Sequence, residues 1–315
     1  MTHWDLRGPC SHRDVSLGGS FSLPVPGVSC TLRPMLLPVL YDTLVEQALR
    51  EDLAGGDITT HATVEPETLA RANAVARTPM VPCGGDVFVA AFLRVDPRLT
   101  CTVLVQDGQA VGAGAPLWRV EGSARSILAA ERVALNFAQR MTGIATLTRS
   151  FVDAVPNGCP TRITDTRKTT PGLRALERYA VRVGGGHNHR DCLGSAVLIK
   201  DNHIVAAGGI TAAVRRARAH APHTTRIELE VDTLVQLDEA LDAGADIIML
   251  DNFTLDDTVT AVSRAKGKAL LEVSGGVSLD RIAAVARLGI DVISVGALTH
   301  SAKAADIGLD MELVA

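Results

Sequence analysis

The chain has 315 residues, 47% hydrophobic and 21% charged, with a formal net charge of −4. That length supports about two domains with ample core, and the mild negative balance gives no global attraction to nucleic acid or anionic lipid. Aromatic residues make up only 3% of the chain, too few for the stacking platforms of single-strand binding, and no apolar run approaches the roughly 18 residues of a membrane-spanning helix.

Residues 1–34 mix Gly, Pro, Ser and Cys with isolated charges and no signal-peptide core, which predicts a poorly ordered extension. Met35 opens an amphipathic pattern (Leu36, Leu37, Leu40, Leu44, Val45, Ala48, Leu49) that predicts a helix to Arg50 and the start of the folded chain. Ala70 to Arg77, Leu99 to Gln106 and Pro116 to Val120 read as short antiparallel strands, separated by helical or Gly-rich pieces. An α/β sandwich domain over 35–145 is the expectation, with 300–315 as a segment that could return to it. Ser123 to Ala154 carries Ile127, Leu128, Val133, Ala134, Phe137, Ala138 and Met141 at helical spacing and predicts one long helix, interrupted by Gly143.

After Pro160 short apolar strands alternate with helices of about ten residues, the sequence form of successive βα units. The strands are TRITD at 161, AVLI at 196, RIELEV at 226, DIIML at 246, ALLEV at 269 and DVISV at 291. Six strands, or seven with the GGG region near 184, predict an incomplete β/α barrel over 146–299 that holds the active site. The six cysteines, at 10, 30, 83, 101, 159 and 192, include no CxxC pair and no compact secreted spacing. A reducing, cytoplasmic setting is therefore expected.

In such barrels the chemistry sits at the carboxyl ends of the strands. In chain order those ends carry Asp165, Arg167 and Lys168, then His189 and Arg190, Lys200, Glu230, Asp251, Glu272 and Ser274. Cations come first and acids later. Arg167 beside Lys168 pairs a planar fork with a rotatable point charge, which suits carboxylates and phosphates on one ligand. Burying this basic set without anions would be costly, so the ligand should be polyanionic. Glu230 and Asp251 offer hard oxygens of the kind that hold Mg²⁺ beside substrate phosphates. Ser274, Gly275, Gly276 and Gly296 follow the last two strands, the usual place for a monophosphate cradle of backbone N–H groups.

Plainer readings stand beside these. The HisAsnHis at 187–189 lacks further partners for a closed zinc site, GGG at 184–186 is also a flexible turn, and Glu228 and Glu272 serve equally well as ion-pair partners inside the barrel. A protonated imine through Lys168 or Lys200 is the rival chemistry. Two lysines with two arginines and paired acids fit electrostatic clamping of a phosphorylated substrate better.

The motifs EDLAGGDITT at 51, AAERVALNFAQRMTGIATLT at 129, DTRKTTPGLR at 165, GGGHNHR at 184, LIKDNHI at 198, MLDN at 249, EVSGG at 272 and VISVGALTH at 292 give the chain from about residue 36 onward a family resemblance. It resembles the quinolinate phosphoribosyltransferases, the nicotinate-nucleotide pyrophosphorylases of NAD biosynthesis. The resemblance implies a sandwich domain with an open barrel, and a homodimer in which each active site borrows from its neighbour, a hexamer of dimers being one further assembly. It also implies transfer of the phosphoribosyl group of phosphoribosyl pyrophosphate to quinolinate, with decarboxylation to nicotinate mononucleotide and Mg²⁺ as cofactor. Arg132 would be lent by the partner subunit. Arg167, His189, Arg190 and Lys200 would hold the quinolinate carboxylates, Lys168 would assist at the pyrophosphate, Glu230 and Asp251 would serve the ribose hydroxyls and Mg²⁺, and Ser274, Gly275, Gly276 and Gly296 would cradle the 5′-phosphate. Ala54 stands where the family usually shows glycine. Alternatives are a related molybdenum-transport pyrophosphorylase-like enzyme, which should lack the full clamp, and a non-catalytic binder of anionic metabolites on the same fold.

Overall fold

A computed structural model of the protein describes residues 35–314; the extension expected over 1–34 lies outside them. A 3-10 turn at Pro38–Leu40 precedes α1 (Asp42–Asp52), which buries Val45 and Leu49 on one face. The apolar run from Met35 does not start a helix, because Pro38 holds Leu37 extended (φ −73°, ψ 139°). Then come α2 (Ile58–Thr63), capped by Asp57 accepting the Thr60 N–H at 2.9 Å, β1 (Leu69–Ala76), α3 (Gly85–Val95), β2 (Thr100–Val103) and β3 (Pro116–Ser123).

Alternation in β1 turns Ala70, Ala72, Ala74 and Ala76 wholly inward. Their small side chains let helices lie close, and larger ones fill the layer between. Phe88 sits 4.9 Å from Phe92 and 5.0 Å from Trp118, ring centroid to centroid, and all three are fully buried. Truncating any one to alanine would cost about 3–5 kcal/mol.

α4 (Ala124–Asp153) runs unbroken through Gly143. The glycine is there for packing and does not interrupt the helix: a Cβ on it would lie 2.0 Å from the Lys303 carbonyl oxygen. Beyond α4 the chain alternates β4 (Arg162–Thr164), α5 (Arg174–Val183), β5 (Val197–Ile199), α6 (Asp201–Ala207), α7 (Ile210–His220), β6 (Ile227–Val231), α8 (Leu234–Asp242) and β7 (Ile247–Asp251). α9 (Leu255–Ala265), β8 (Leu270–Ser274), α10 (Ile282–Arg287), β9 (Val292–Ser294), α11 (Ala297–His300) and β10 (Ile307–Leu313) complete it.

Two sheets result. The first is antiparallel, in the order β10-β1-β3-β2, so the last strand of the chain pairs with the first, from Ala76↔Ile307 to Ala70↔Leu313. The second is parallel, in the order β4-β9-β8-β7-β6-β5, with helices between its strands. Its edges, β4 and β5, do not pair, which leaves the barrel open. The GGG region forms no seventh strand: α5 ends at Gly184, and His187 makes a single bridge to Thr164.

Candidate functional site

In a parallel sheet all carboxyl ends emerge on one side, and register decides which residues meet there. Asp251 of β7 lies opposite Ser274 of β8, and Ser294 of β9 lies opposite Thr164 of β4. At this mouth a cleft of about 160 Å³ is lined by Arg167, Lys168, His189, Arg190, Lys200 and Ser274, with Thr166, Leu198, Met249 and Ser294. Sequence reasoning missed these last four; Ser294 and Met249 end or precede the ends of apolar strands, and only register reveals that they face the mouth. Two larger hollows, of about 780 and 730 Å³, lie beside Lys266 and Lys268 and along the outer edge of β5, the second sharing Arg190 and Leu198 with the cleft. Neither is lined by Arg167, Lys168, Lys200 or Ser274.

The basic wall is built on buried supports. Asp165, which sequence reasoning placed among the mouth residues, is fully buried and does not line the cleft. It accepts the His189 N–H at 2.8 Å and the Asn188 amide at 2.6 Å. Arg178 donates to the His189 and Arg190 carbonyls at 2.6 and 3.0 Å. Together these two pin the loop that presents His189 and Arg190. Burial, and then the neighbouring Arg167 cation, lower the Arg190 pKa. Arg167 Nε is buried without a hydrogen-bond partner, as is Ser294 Oγ, and both residues line the cleft. Polar atoms so placed suit a polar, anionic guest.

The acids divide by depth. Glu228 and Glu272 do not line the mouth; both are buried inside the barrel, with oxygens 3.2 and 3.5 Å from His189 Nε2. Burial alone would lower the His189 pKa, but hydrogen bonds and charges from these two carboxylates outweigh it and raise it to about 10. The Arg190 N–H lies 2.7 Å from Nδ1, a contact that a neutral ring would accept. Two buried acids outweigh that one contact between chain neighbours, so His189 is assigned as imidazolium at neutral pH. Glu228 is itself raised by burial and by Glu272 beside it. Among the described residues these three are the one group of ligand-type side chains converging within 4.8 Å. His187 does not join them.

Glu230 and Asp251 stand half-buried at the strand ends. Glu230 Oε2 is engaged by Lys200 Nζ, and Asp251 Oδ2 accepts the Asn252 amide at 2.8 Å. Asn252 takes a left-handed φ of 56°, and Gly275 follows with φ 84°. A Cβ on Gly275 would sit 2.6 Å from Asn252 Oδ1 and 2.7 Å from Asp251 Oδ1, so glycine lets the turn after β8 lie against the acid. Lys168 leans to the opposite side, its Cδ 3.1 Å from where a Gly296 Cβ would be. Arg132 lies on the exposed surface of α4 and does not line this cleft. Carboxylate oxygens on two neighbouring strands are the donor type Mg²⁺ takes alongside phosphate oxygens and water, although Lys200 already holds one Glu230 oxygen.

Both halves of the chain match family models. "Quinolinate phosphoribosyl transferase, C-terminal domain" matches residues 144–310, and "Quinolinate phosphoribosyl transferase, N-terminal domain" matches 57–142. The chain is 48% identical over 273 residues to the nicotinate-nucleotide pyrophosphorylase [carboxylating] of Mycobacterium leprae, covering 85% of this chain and 95% of that protein. It superposes on the crystal structure of NadC from Streptococcus pyogenes with a TM-score of 0.85 and 39% identity, covering 89% of this chain and 99% of that one. The nicotinate-nucleotide pyrophosphorylase structure from Francisella tularensis gives 0.85 at 42% identity, covering 89% and 98%.

Proposed function

The chain belongs to the quinolinate phosphoribosyltransferase family, and we propose that the mouth of its barrel is where quinolinate and phosphoribosyl pyrophosphate meet. It is a phosphoribosyltransferase of NAD biosynthesis, moving the phosphoribosyl group to quinolinate with loss of CO₂ to give nicotinate mononucleotide and pyrophosphate. The observation that carries the site assignment is the convergence of Arg167, Lys168, His189, Arg190 and Lys200 on one cleft beside the Gly275 and Gly296 turns.

In this reading Arg167, His189, Arg190 and Lys200 neutralise the two ring carboxylates, with the partner subunit's Arg132 completing the clamp. The exposed position of Arg132, outside its own cleft, supports a shared site in a homodimer. Lys168 lies on the pyrophosphate side. Backbone N–H groups from Ser274 to Gly276 and at Gly296 receive the 5′-phosphate, and Glu230 and Asp251 serve the ribose hydroxyls and would hold Mg²⁺. The metal supplies charge neutralisation for the departing pyrophosphate.

The pyridine nitrogen attacks the anomeric carbon as its bond to the pyrophosphate oxygen breaks, through a cationic, sugar-centred transition state. The carboxylate next to the now positive nitrogen then leaves as CO₂, and the electron pair left on the ring carbon takes a proton. The residues contribute positioning and fixed charge in a partly dehydrated cleft. Before reaction Lys200 is held by Glu230, so an incoming carboxylate competes with an internal one for the same ammonium. No described helix is long and apolar enough to cross a membrane, and the described cysteines, Cys83, Cys101, Cys159 and Cys192, are free thiols.

Mixing the protein with quinolinate, phosphoribosyl pyrophosphate and Mg²⁺ should yield nicotinate mononucleotide and CO₂. Folded, dimeric protein that forms neither overturns the assignment and leaves a metabolite binder on the same fold.

A further inference from the structure

Behind the cleft one guanidinium touches both loops that flank the phosphate side, and none of the roles above uses it. Arg140 lies on α4, and its Nε and Nη2 donate to Glu177 Oε1 at 3.1 and 2.7 Å. Glu177, on α5, is fully buried, and its other oxygen accepts the Thr170 N–H at 3.0 Å. Nη2 also reaches Thr170 Oγ1 at 3.3 Å and the Thr299 carbonyl, while Nη1 donates to the Ala302 carbonyl at 2.9 Å. Thr299 Oγ1 in turn donates to the Lys168 carbonyl at 2.8 Å. One planar fork thus ties the loop after β4, which carries Arg167 and Lys168, to the turn after β9, which carries Gly296.

A buried ion pair is a poor device for stability alone, since desolvation offsets most of its attraction. What a guanidinium fork does well is fix several acceptors in one plane, and here the acceptors belong to three separate segments. The His189–Arg190 part of the quinolinate wall has its own support, because Asp165 and Arg178 hold that loop with no bond to Arg140. Arg167 of the clamp shares the loop that Arg140 braces, and Arg174 joins that loop to the other through the Arg167 and Asp191 carbonyls at 3.4 and 3.3 Å, so the Arg140 brace bears mainly on the phosphate side. Lys168 Cδ already lies 3.1 Å from the Cβ direction of Gly296, so a small drift of either loop changes the width of the phosphate side.

We propose that Arg140, braced by Glu177, is a positioning residue for phosphoribosyl pyrophosphate, setting the separation of Lys168 from the Gly296 turn while the His189–Arg190 part of the quinolinate clamp keeps its own supports. This rests on the substrate assignment above. The test is steady-state kinetics of Arg140→Lys, which keeps the charge and loses the fork, with each substrate varied in turn. Its KM for phosphoribosyl pyrophosphate should rise on the order of tenfold, and that for quinolinate by clearly less, since only Arg167 of the quinolinate clamp rides the braced loop. Thr299→Val, which removes the hydroxyl contacts to the Lys168 and Gly296 carbonyls, should move the same constant in the same direction and keeps the test open if Arg140→Lys folds poorly. Arg178→Lys should show the converse, acting on quinolinate. Equal changes in both constants, or none, in folded variants overturn the brace. A parent protein that makes no nicotinate mononucleotide overturns the substrate assignment instead.

Discussion

In the middle of a helix alanine is favoured over glycine by about 1 kcal/mol, so local propensity predicts that Gly143→Ala stabilises the protein. The tertiary contacts reverse that sign. The new Cβ would lie 2.0 Å from the Lys303 carbonyl oxygen and 3.3 Å from the Ala305 nitrogen, whereas ordinary C···O approaches stop near ~3.3 Å. The strap between α11 and β10 must retreat by about 1.3 Å. It is held by the Ala305 N–H on the Gln139 carbonyl at 2.9 Å, Arg140 Nη1 on the Ala302 carbonyl at 2.9 Å, and Gln139 Nε2 on the Ile307 carbonyl at 2.8 Å. Losing these, at about 1 kcal/mol each, outweighs the propensity gain and leaves a net loss of about 2 kcal/mol. For a chain of this size the thermal midpoint falls by about 3 °C. Calorimetry, with circular dichroism to confirm retained helix, reads the shift. A variant as stable as the parent, or more so, refutes the reasoning and shows that the strap yields freely.

Gly275→Ala puts a side chain where φ is 84° and where Asp251 Oδ1 would be 2.7 Å away; kcat/KM should drop on the order of 10–100-fold with the fold intact, and unchanged kinetics would remove Asp251 from the site. Arg132→Ala and Lys168→Ala should each be inactive, yet mixing them should restore part of the activity through hybrid dimers; no recovery argues against a shared site. Burial opposes the His189 charge, but Glu228 and Glu272 raise its pKa from 6.5 to about 10. A group raised in the folded state contributes stability that is complete below about pH 6.5 and lost as pH rises through about 10. Unfolding free energy should therefore fall more steeply between those limits in the parent than in His189→Gln, and parallel curves would contradict the ion-pair cluster. Chelating Mg²⁺ should abolish turnover while leaving the thermal midpoint unchanged, because Glu230 and Asp251 form no closed cage; a fall in the midpoint would point to a structural metal.

Much of the fold was legible in periodicity. The strands from Arg162 to Ser294 coincide with the apolar runs that announce them, β7 and β8 each running one residue further to Asp251 and Ser274, because a strand buried on both faces is largely apolar. The long helix was legible for the same reason, but its glycine was misread. Gly143 breaks propensity locally, and its purpose is a carbonyl 160 residues away in the chain. The apolar run at Met35 misled in the other direction, since Pro38 overrides an amphipathic pattern by geometry alone.

For the site, residue type and position at strand ends were enough to single out Arg167, Lys168, His189, Arg190 and Lys200, because charge on a buried face must answer to something charged. Depth was not legible. Glu228 and Glu230 are two residues apart on one face, yet one is enclosed with His189 and the other meets Lys200 at the mouth. Asp165 looked like a mouth residue and is a buried support. The sequence by itself determined the chemistry on offer: fixed cations, hard acids and glycine turns at the ends of parallel strands. Which of those groups face a ligand, which hold others in place, and how Arg140 joins two loops far apart in the chain were decided by tertiary structure alone. Burial and hydrogen-bond geometry depend on what packs against a side chain, and that is not encoded in its neighbours along the chain.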